Sequence, residues 1–242
     1  NASILNISAM SFGSLSKEAI LSLNGGAKDG EFAHNTGEGS ISDHHLENGG
    51  DIIWQIGTGY FGCRTMEGEF CPDKFSEKSN LDVVKMIEIK LSQGAKPGHG
   101  GILPAEKVTA EISRIRNVPI GSDVKSPSNH SQFSGPIELL NFVKKLRDLS
   151  GGKPVGFKLC LGKRREFMAI CKAMIKTGVK PDFITVDGGE GGTGAAPVEF
   201  TNHIGSPGID ALVFIHNALT GFGLRKDIKI ICTGKISSGY GI

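Results

Sequence analysis

The sequence has no run of eighteen or more apolar residues, so nothing in it spans a membrane as a helix. It has no CxxC pair either. Its five cysteines, Cys63, Cys71, Cys160, Cys171 and Cys232, are scattered, and the Cys63–Cys71 gap is too wide for a short zinc knuckle. No metal site is expected, and reduced thiols point to a cytoplasmic location. An excess of one charge is also missing. With 27 Lys+Arg against 25 Asp+Glu the formal charge is +2, too small for a nucleic-acid partner. The opening Asn1-Ala2-Ser3-Ile4 lacks the basic segment and apolar stretch of a signal peptide, and reads as if cut from a longer chain.

Glycine is what the chain has in excess. Its 35 glycines are roughly twice the usual share of about 7%. They cluster at 94–101, 188–194 and 234–241, with no Gly-x-y period, which excludes collagen. Clusters at intervals suggest loops that press backbone against a ligand.

Short β-branched runs recur, each closed by a glycine or polar turn: 4–10, 31–35, 86–91, 120–125, 155–159, 183–186 and 228–233. Amphipathic stretches lie between them. Ile137, Leu140, Val143, Leu146 and Leu149 form one face, and Phe167, Ile170, Cys171, Met174 and Ile175 a second, stopped by Gly178. Leu212, Ile215, His216 and Leu219 suggest a third. Strands alternating with helices mean right-handed βαβ units and a parallel sheet. The first turn, Ser11-Phe12-Gly13-Ser14-Leu15-Ser16, is not the glycine-rich phosphate turn that opens a doubly wound dinucleotide fold. The expected fold is therefore α/β, a single (β/α)₈ barrel over residues 1–242 that lacks its eighth strand. Residues 51–71 break the rhythm: Ile52–Ile56 and Tyr60–Cys63 flank Gly57-Thr58-Gly59 and read as an inserted β-hairpin.

Ligands of parallel barrels sit at the C-terminal strand ends. The segments there are Met10–Ser14, Asn35–Gly39, Gln93–Gly101, Ser126–His130, Lys158, Asp187–Ala195 and Thr233–Gly239. Successive glycines can aim N–H groups at a phosphate or an electron-rich ring edge, and a lysine adds attraction. Thr233–Gly239 is placed where such barrels hold phosphate.

The runs ISAMSFGSLS, NTGEGS, EIKLSQGAKPGHGG, SPSNH, GFKL, DGGEGGTGAAP and TGK, in this order, resemble the FMN-binding synthase domain of the glutamate synthase family. They are most similar to the shorter synthase-like proteins without a glutaminase domain. The resemblance implies an FMN barrel in the cytoplasm that reduces the imine of a 2-oxo acid, formed from 2-oxoglutarate and ammonia, to glutamate. It implies Lys96 and Glu38 as catalytic residues. FMN would be bound by Met10, Ser11, Gln93, Lys158, Asp187, Gly188, Gly189, Gly192, Thr193, Gly194, Gly234 and Lys235. Substrate would be bound by Ser14, Lys96, Arg116 and His130. An electron donor, ferredoxin or a reductase subunit, is a further implied partner.

Bland alternatives stand beside these roles. Lys96 also reads as a solvated loop lysine, Lys158 as a surface lysine, Arg116 as a helix-surface arginine beside Arg114, and Glu38 as a carboxylate orienting its own loop. His44-His45 reads as a solvated loop. Two departures from the family stand out. Ile102 occupies the place of a family glutamine and cannot hydrogen-bond an oxo acid. The eighth strand and the cysteines of a [3Fe–4S] cluster are not found up to Ile242, so an iron–sulfur cluster is not supported within this chain. Two other functions remain open: another FMN-barrel chemistry such as 2-hydroxy-acid oxidation with His130 as base, and a non-catalytic binding fragment.

Overall fold

A computed structural model describes residues 3–191, 196–236 and 238–239. The chain divides into two compact units. The first comprises Asn1–Ile89, Gly100–Ser131 and Lys145–Pro154; the second comprises Lys90–His99, Gln132–Lys144 and Val155–Ile242.

In the first unit, Ile7 bridges in parallel to His34. Helix α1 (Lys17–Asp29) starts where the Ser16 hydroxyl accepts from Ala19 N–H at 3.3 Å, an N-cap that satisfies one orphan donor. Strand β1 (His34–Asn35) pairs in parallel with β2 (Ile52–Ile56), which pairs in parallel with β3 (Val84–Lys90). Short helices α2 (Asp43–Leu46) and α3 (Pro72–Ser79) fill the connections, the latter with proline in its first turn. All five β2 residues are buried, as in a parallel strand covered on both faces. In β3 the faces differ: Ile87 and Ile89 on one side are fully buried apolar residues, while Glu88 and Lys90 on the other are polar.

The run Ile52–Ile56 is therefore a strand of the parallel sheet and not a hairpin arm. A continuous apolar run is the mark of a two-sided buried strand, and the following Gly57-Thr58-Gly59 only imitates a hairpin turn. A small hairpin does exist within the segment, one step later. Arg64 bridges antiparallel to Phe70, with Thr65 N–H donating to Glu69 O at 2.8 Å and Cys71 N–H to Cys63 O at 2.9 Å.

The expected barrel strand at 120–125 is also corrected. Strand β4 (Ile102–Leu103) precedes helix α4 (Ala110–Arg116), which Thr109 caps, and strand β5 (Val124–Lys125) pairs antiparallel with β4. Ile120 is 62% exposed, and the Asp123 carboxylate turns back to accept from Ala105 N–H at 2.9 Å, so the run never enters a parallel ladder. Phe61, Leu103, Val108, Ile112, Val118 and Val124 make a local core beneath it, with Phe12 packed against them.

Helix α5 (Pro136–Leu149) comes next in the chain. In the second unit, strand β6 (Val155–Cys160), helix α6 (Arg164–Thr177), strand β7 (Phe183–Asp187), helix α7 (Gly208–Gly221) and strand β8 (Lys229–Thr233) alternate as expected. Helix α6 ends at Gly178 in the left-handed conformation, φ 70°, its N–H donating to Met174 O. Strand β7 pairs in parallel with both β6 and β8, placing Lys158 beside Thr185, and Asp187 beside Cys160 and Thr233. Parallel strands alternating with helices in both units are the α/β plan of an incomplete (β/α)₈ barrel. Among the described residues no helix is long and apolar enough to cross a membrane.

Candidate functional site

Most of the expected site residues that the structure describes fall into two clusters, one in each unit.

In the first unit the loops after the Ile7 bridge and after β1 press against α4. Arg116, at the end of that helix, is only 6% exposed. Its Nη2 donates to Phe12 O at 3.0 Å, and its guanidinium carbon stands 5.4 Å from the centre of the Phe61 ring. Its Nε is buried with no hydrogen-bond partner. Burial works against the Arg116 charge, and the Glu38 carboxylate counters it. A Cβ on Gly39 would stand 3.0 Å from both Arg116 Nη2 and Ser11 Cβ, so this glycine lets the Glu38 loop close on both residues. Ser11 Oγ donates to Ser14 Oγ at 2.9 Å. Ser11, Ser14, Glu38 and Arg116 thus lie on adjoining segments. Arg116 is not the helix-surface arginine its neighbour Arg114 is; Arg114 is exposed and paired with Asp43 at 2.6 Å.

Met10 is fixed from two sides. Its N–H donates to Asn35 O at 3.0 Å and its carbonyl accepts from His45 Nε2 at 3.1 Å. Ser42 N–H donates to His45 Nδ1 at 3.1 Å, which leaves the proton on Nε2. His45 is therefore a neutral buried cap of α2, and burial, with a smaller effect of His44, holds its pKa down at about 4. His44 is buried too, with Nε2 2.9 Å from a Glu111 oxygen, so the pair is not the solvated loop expected. The His34 ring lies 5.2 Å from that of His45, tilted against it, is fully buried with neither ring nitrogen partnered, and is likewise pushed to about 4, by burial and then by His45.

Beneath these loops lies a polar layer that sequence reasoning missed. Glu88 Oε1 accepts from Asn35 Nδ2 at 2.8 Å and from Gln55 Nε2 at 2.7 Å, all three side chains buried. Asn35 Oδ1 accepts in turn from Gly37 N–H at 3.0 Å, so Glu88 orients the loop that carries Glu38. Gln55 alone carried a local signal, as the single polar residue of an otherwise apolar strand; Glu88 stands between Lys85 and Lys90, and β1 is polar throughout. His130 is held from the segment that follows β2. Its Nδ1 is 3.1 Å from the Tyr60 hydroxyl, and it is buried.

In the second unit Lys158 Nζ lies 3.1 Å from Asp187 Oδ2, both side chains nearly buried. The same oxygen accepts from Gly94 N–H at 2.9 Å. Lys158 is thus an interior lysine with a partner, not a surface lysine. Gly94 has no alternative: a Cβ there would come within 1.7 Å of Gly188 O. Gly188 N–H donates to Thr233 O at 3.2 Å, and Gly189 N–H to Ser206 O at 2.8 Å. Gly234 closes on Asp187, and Lys235 follows with φ 47° and an exposed side chain. Glu190 caps α7, both its oxygens accepting from Gly208 N–H at 2.9 Å. Gln93 Oε1 accepts from Lys90 Nζ at 3.1 Å, and Gln93 O from Lys96 N–H at 3.2 Å. Lys96 is 6% exposed, so it is not a solvated loop lysine. The expected Gly192, Thr193 and Gly194 lie outside the described residues. Ile102 is 57% exposed on β4.

Three comparisons bear on this arrangement. A family model described as the conserved region in glutamate synthase matches residues 2–242. The chain is 46% identical to a glutamate synthase large subunit-like protein, YerD, of Bacillus subtilis over 95% of its length and 43% of the relative's. It is 36% identical to the archaeal glutamate synthase [NADPH] of Methanocaldococcus jannaschii over 95% of its length and 42% of the relative's. The chain thus spans about two fifths of these curated relatives. Among solved structures, a chain described as a deoxyribose-phosphate aldolase from Coccidioides immitis superposes with a TM-score of 0.51 at 13% identity, covering 97% of this chain and 73% of that one; this likeness concerns the fold alone.

Proposed function

The chain belongs to the glutamate synthase family, and we propose that it forms the flavin-bearing part of an FMN-dependent oxidoreductase that reduces the imine of a 2-oxo acid, 2-oxoglutarate with ammonia yielding glutamate. The observation that carries the cofactor reading is the Lys158–Asp187–Gly94 arrangement. An interior ammonium beside backbone so close that no side chain fits between suits the electron-rich edge of a flat ring. The donor set fits FMN. Lys158 and Gln93 would face the ring, and Gly188, Gly189, Gly234 and Lys235 would serve its phosphate. Gly192, Thr193 and Gly194 are proposed to join them.

When bound, FMN supplies hydride transfer at its N5, chemistry that belongs to the cofactor. The chain's own residues position and polarise. Lys158 supplies positive charge, and Asp187 fixes the direction of that ammonium. Lys96 would hold a substrate carboxylate or offset developing negative charge. In the first unit Arg116 is a desolvated cation whose Nε lacks a partner, suited to a carboxylate, which it can meet in a planar fork. Glu38, facing Arg116, would accept a hydrogen bond from the substrate ammonium or imine nitrogen. Ser11 and Ser14 would add hydroxyl contacts. Electrons would come from NADPH, as the archaeal relative's name specifies, or through ferredoxin or a reductase subunit. Ile102 in place of a hydrogen-bonding residue makes an oxo acid less polar than 2-oxoglutarate the competing substrate.

The test is an FMN titration of the chain followed by flavin fluorescence, with Lys158→Met in parallel. Saturable binding that weakens at least about tenfold in the variant supports the assignment, a tenfold change being 1.4 kcal/mol. Unchanged affinity in Lys158→Met removes Lys158 from the cofactor site.

A further inference from the structure

The small hairpin after β2 carries two cysteines that nothing in the proposed chemistry uses. Its hydrogen bonds, Thr65 N–H to Glu69 O and Cys71 N–H to Cys63 O, set an antiparallel register around the Arg64–Phe70 bridge. In that register Cys71 stands directly across from Cys63, and directly opposed side chains project from the same face. The Cα atoms of an opposed pair of this kind are about 5.5 Å apart. Disulfides span roughly 4.4–6.8 Å between Cα atoms, a window this pair falls within, and its Cβ atoms, about 5.5 Å apart in a hydrogen-bonded pair, must draw together by about 1 Å to close the bridge. The other three cysteines have no such partner. Cys160 and Cys232 lie on β6 and β8 with β7 between them, and Cys171 is buried on α6.

We propose that Cys63 and Cys71 are a dithiol that closes to a reversible disulfide by exchange with a low-molecular-weight disulfide such as oxidised glutathione. The two thiols have different parts. Cys71 is partly exposed, immediately before α3, and is the thiol that solution reagents reach. Cys63 is fully buried, and burial pushes its thiol up to about 12 against the opposing field of Lys78. Cys71 therefore reacts first: its thiolate attacks the glutathione disulfide, forming a Cys71–glutathione bond and releasing one glutathione thiolate. Cys63 then displaces the second glutathione, which leaves as thiol with the Cys63 proton. Two protein thiols are oxidised, and one disulfide is reduced to two thiols.

Closure would tie down residues that the first cluster leans on. Gly62 N–H donates to Arg116 O at 3.3 Å, and Arg64 O, inside the closed loop, accepts from Asn117 Nδ2 at 2.7 Å and Lys74 Nζ at 3.0 Å. Both thiols are free in the arrangement described, so closure would brace these existing contacts beside Arg116 rather than create them.

The experiment treats the whole chain with oxidised glutathione, then counts thiols after denaturation and maps the peptides by mass. The expected result is three of five thiols remaining, a mass lower by two hydrogens, a Cys63–Cys71 cross-link, and full recovery with dithiothreitol. Cys71→Ser should retain all its remaining thiols, and Cys63→Ala should instead keep one glutathione on Cys71. Five thiols surviving, glutathione persisting on Cys71 of the unaltered chain, or a cross-link joining another pair would each overturn the proposal. Cys71→Ser replaces a partly exposed residue, so its reading stands even where the buried substitution unfolds the chain.

Discussion

The two units each bury a cation, and they treat it in opposite ways. In the second unit Lys158 is matched: Asp187 lies 3.1 Å away and the same carboxylate oxygen also takes Gly94 N–H. In the first, Arg116 is held by a backbone carbonyl, an aromatic face and the field of Glu38, with one nitrogen left without a partner. A matched cation is a positioned one, and it can meet a ligand whose charge changes little on binding. A cation held mostly by neutral groups keeps an unmet demand for an anion. The contrast fits Lys158 against a cofactor ring edge and Arg116 against a substrate carboxylate.

The largest expected effect tests how tightly the matched side is built. Gly94→Ala places a methyl within 1.7 Å of Gly188 O, where backbone, not a flexible side chain, must give way. The expected loss is about 4 kcal/mol in urea unfolding, the range reserved for severe core strain. Gly162→Ala, whose Cβ meets nothing within 4 Å, is the control and should shift stability by less than ~0.5 kcal/mol. Next comes Asp187→Asn, which leaves Lys158 charged and interior beside a neutral partner. Breaking such a buried pair costs about 3 kcal/mol. A loss under ~1 kcal/mol in the same unfolding series would mean the pair is solvated, and the contrast with Arg116 would collapse.

How far these clusters could be read beforehand depended on whether chemistry was local in sequence. Glycine loops announce themselves, and so do helices such as α6, whose apolar face and Gly178 stop set both its register and its end. Lys158 was legible because a lysine inside an apolar run must find a partner. Its partner Asp187 was recognised by position, but the hydrogen bond to Gly94 joins residues 93 apart and leaves no local trace. The Glu88–Asn35–Gln55 layer escaped for a related reason: its residues lie on three strands, and only sheet register brings them together. Strand β2 was misread because a continuous apolar run lacks the alternation that fixes strand type, and a glycine turn behind it completed the illusion of a hairpin. Arg116 and Arg114, alike in sequence, differ only in which side of a seven-residue helix meets the loops.

Acid should separate the units. His34 and His45, both in the first, titrate near 4 when folded and near the ordinary 6.5 when unfolded. Above pH 6.5 neither state binds the protons and nothing is lost. As pH falls from 6.5 to 4 the unfolded chain takes up protons that the folded one refuses, so stability declines across that window and levels off below it. Each histidine contributes up to ~1.4 kcal/mol per pH unit at most, a ceiling reached only where its unfolded form is fully protonated. Hydrogen exchange at pH 5 should show protection lost first around β1 and α2, with β6 and β7 retained. Simultaneous loss in both units would mean that they unfold as one body. A flat stability curve from pH 7 to 4.5 would mean that the two imidazoles are hydrated.

The smallest effect on stability is the most informative about function. Arg116→Met keeps an unbranched stem while removing the guanidinium that meets Gly39 and Phe61 and a charge that burial disfavours. The lost hydrogen bond to Phe12 O and the lost ring contact oppose the recovered desolvation cost, so the net change should stay within about 1 kcal/mol. Binding should respond quite differently. In the unaltered chain, millimolar 2-oxoglutarate or a less polar 2-oxo acid should raise the melting temperature, and Arg116→Met should abolish that rise while leaving any FMN affinity unchanged. A variant destabilised by more than ~2 kcal/mol would show that Arg116 is as fully matched as Lys158, its charge needed by the fold itself. A variant that still responds to oxo acids would show that the demand for an anion is met elsewhere, with buried Lys96 the first residue to replace.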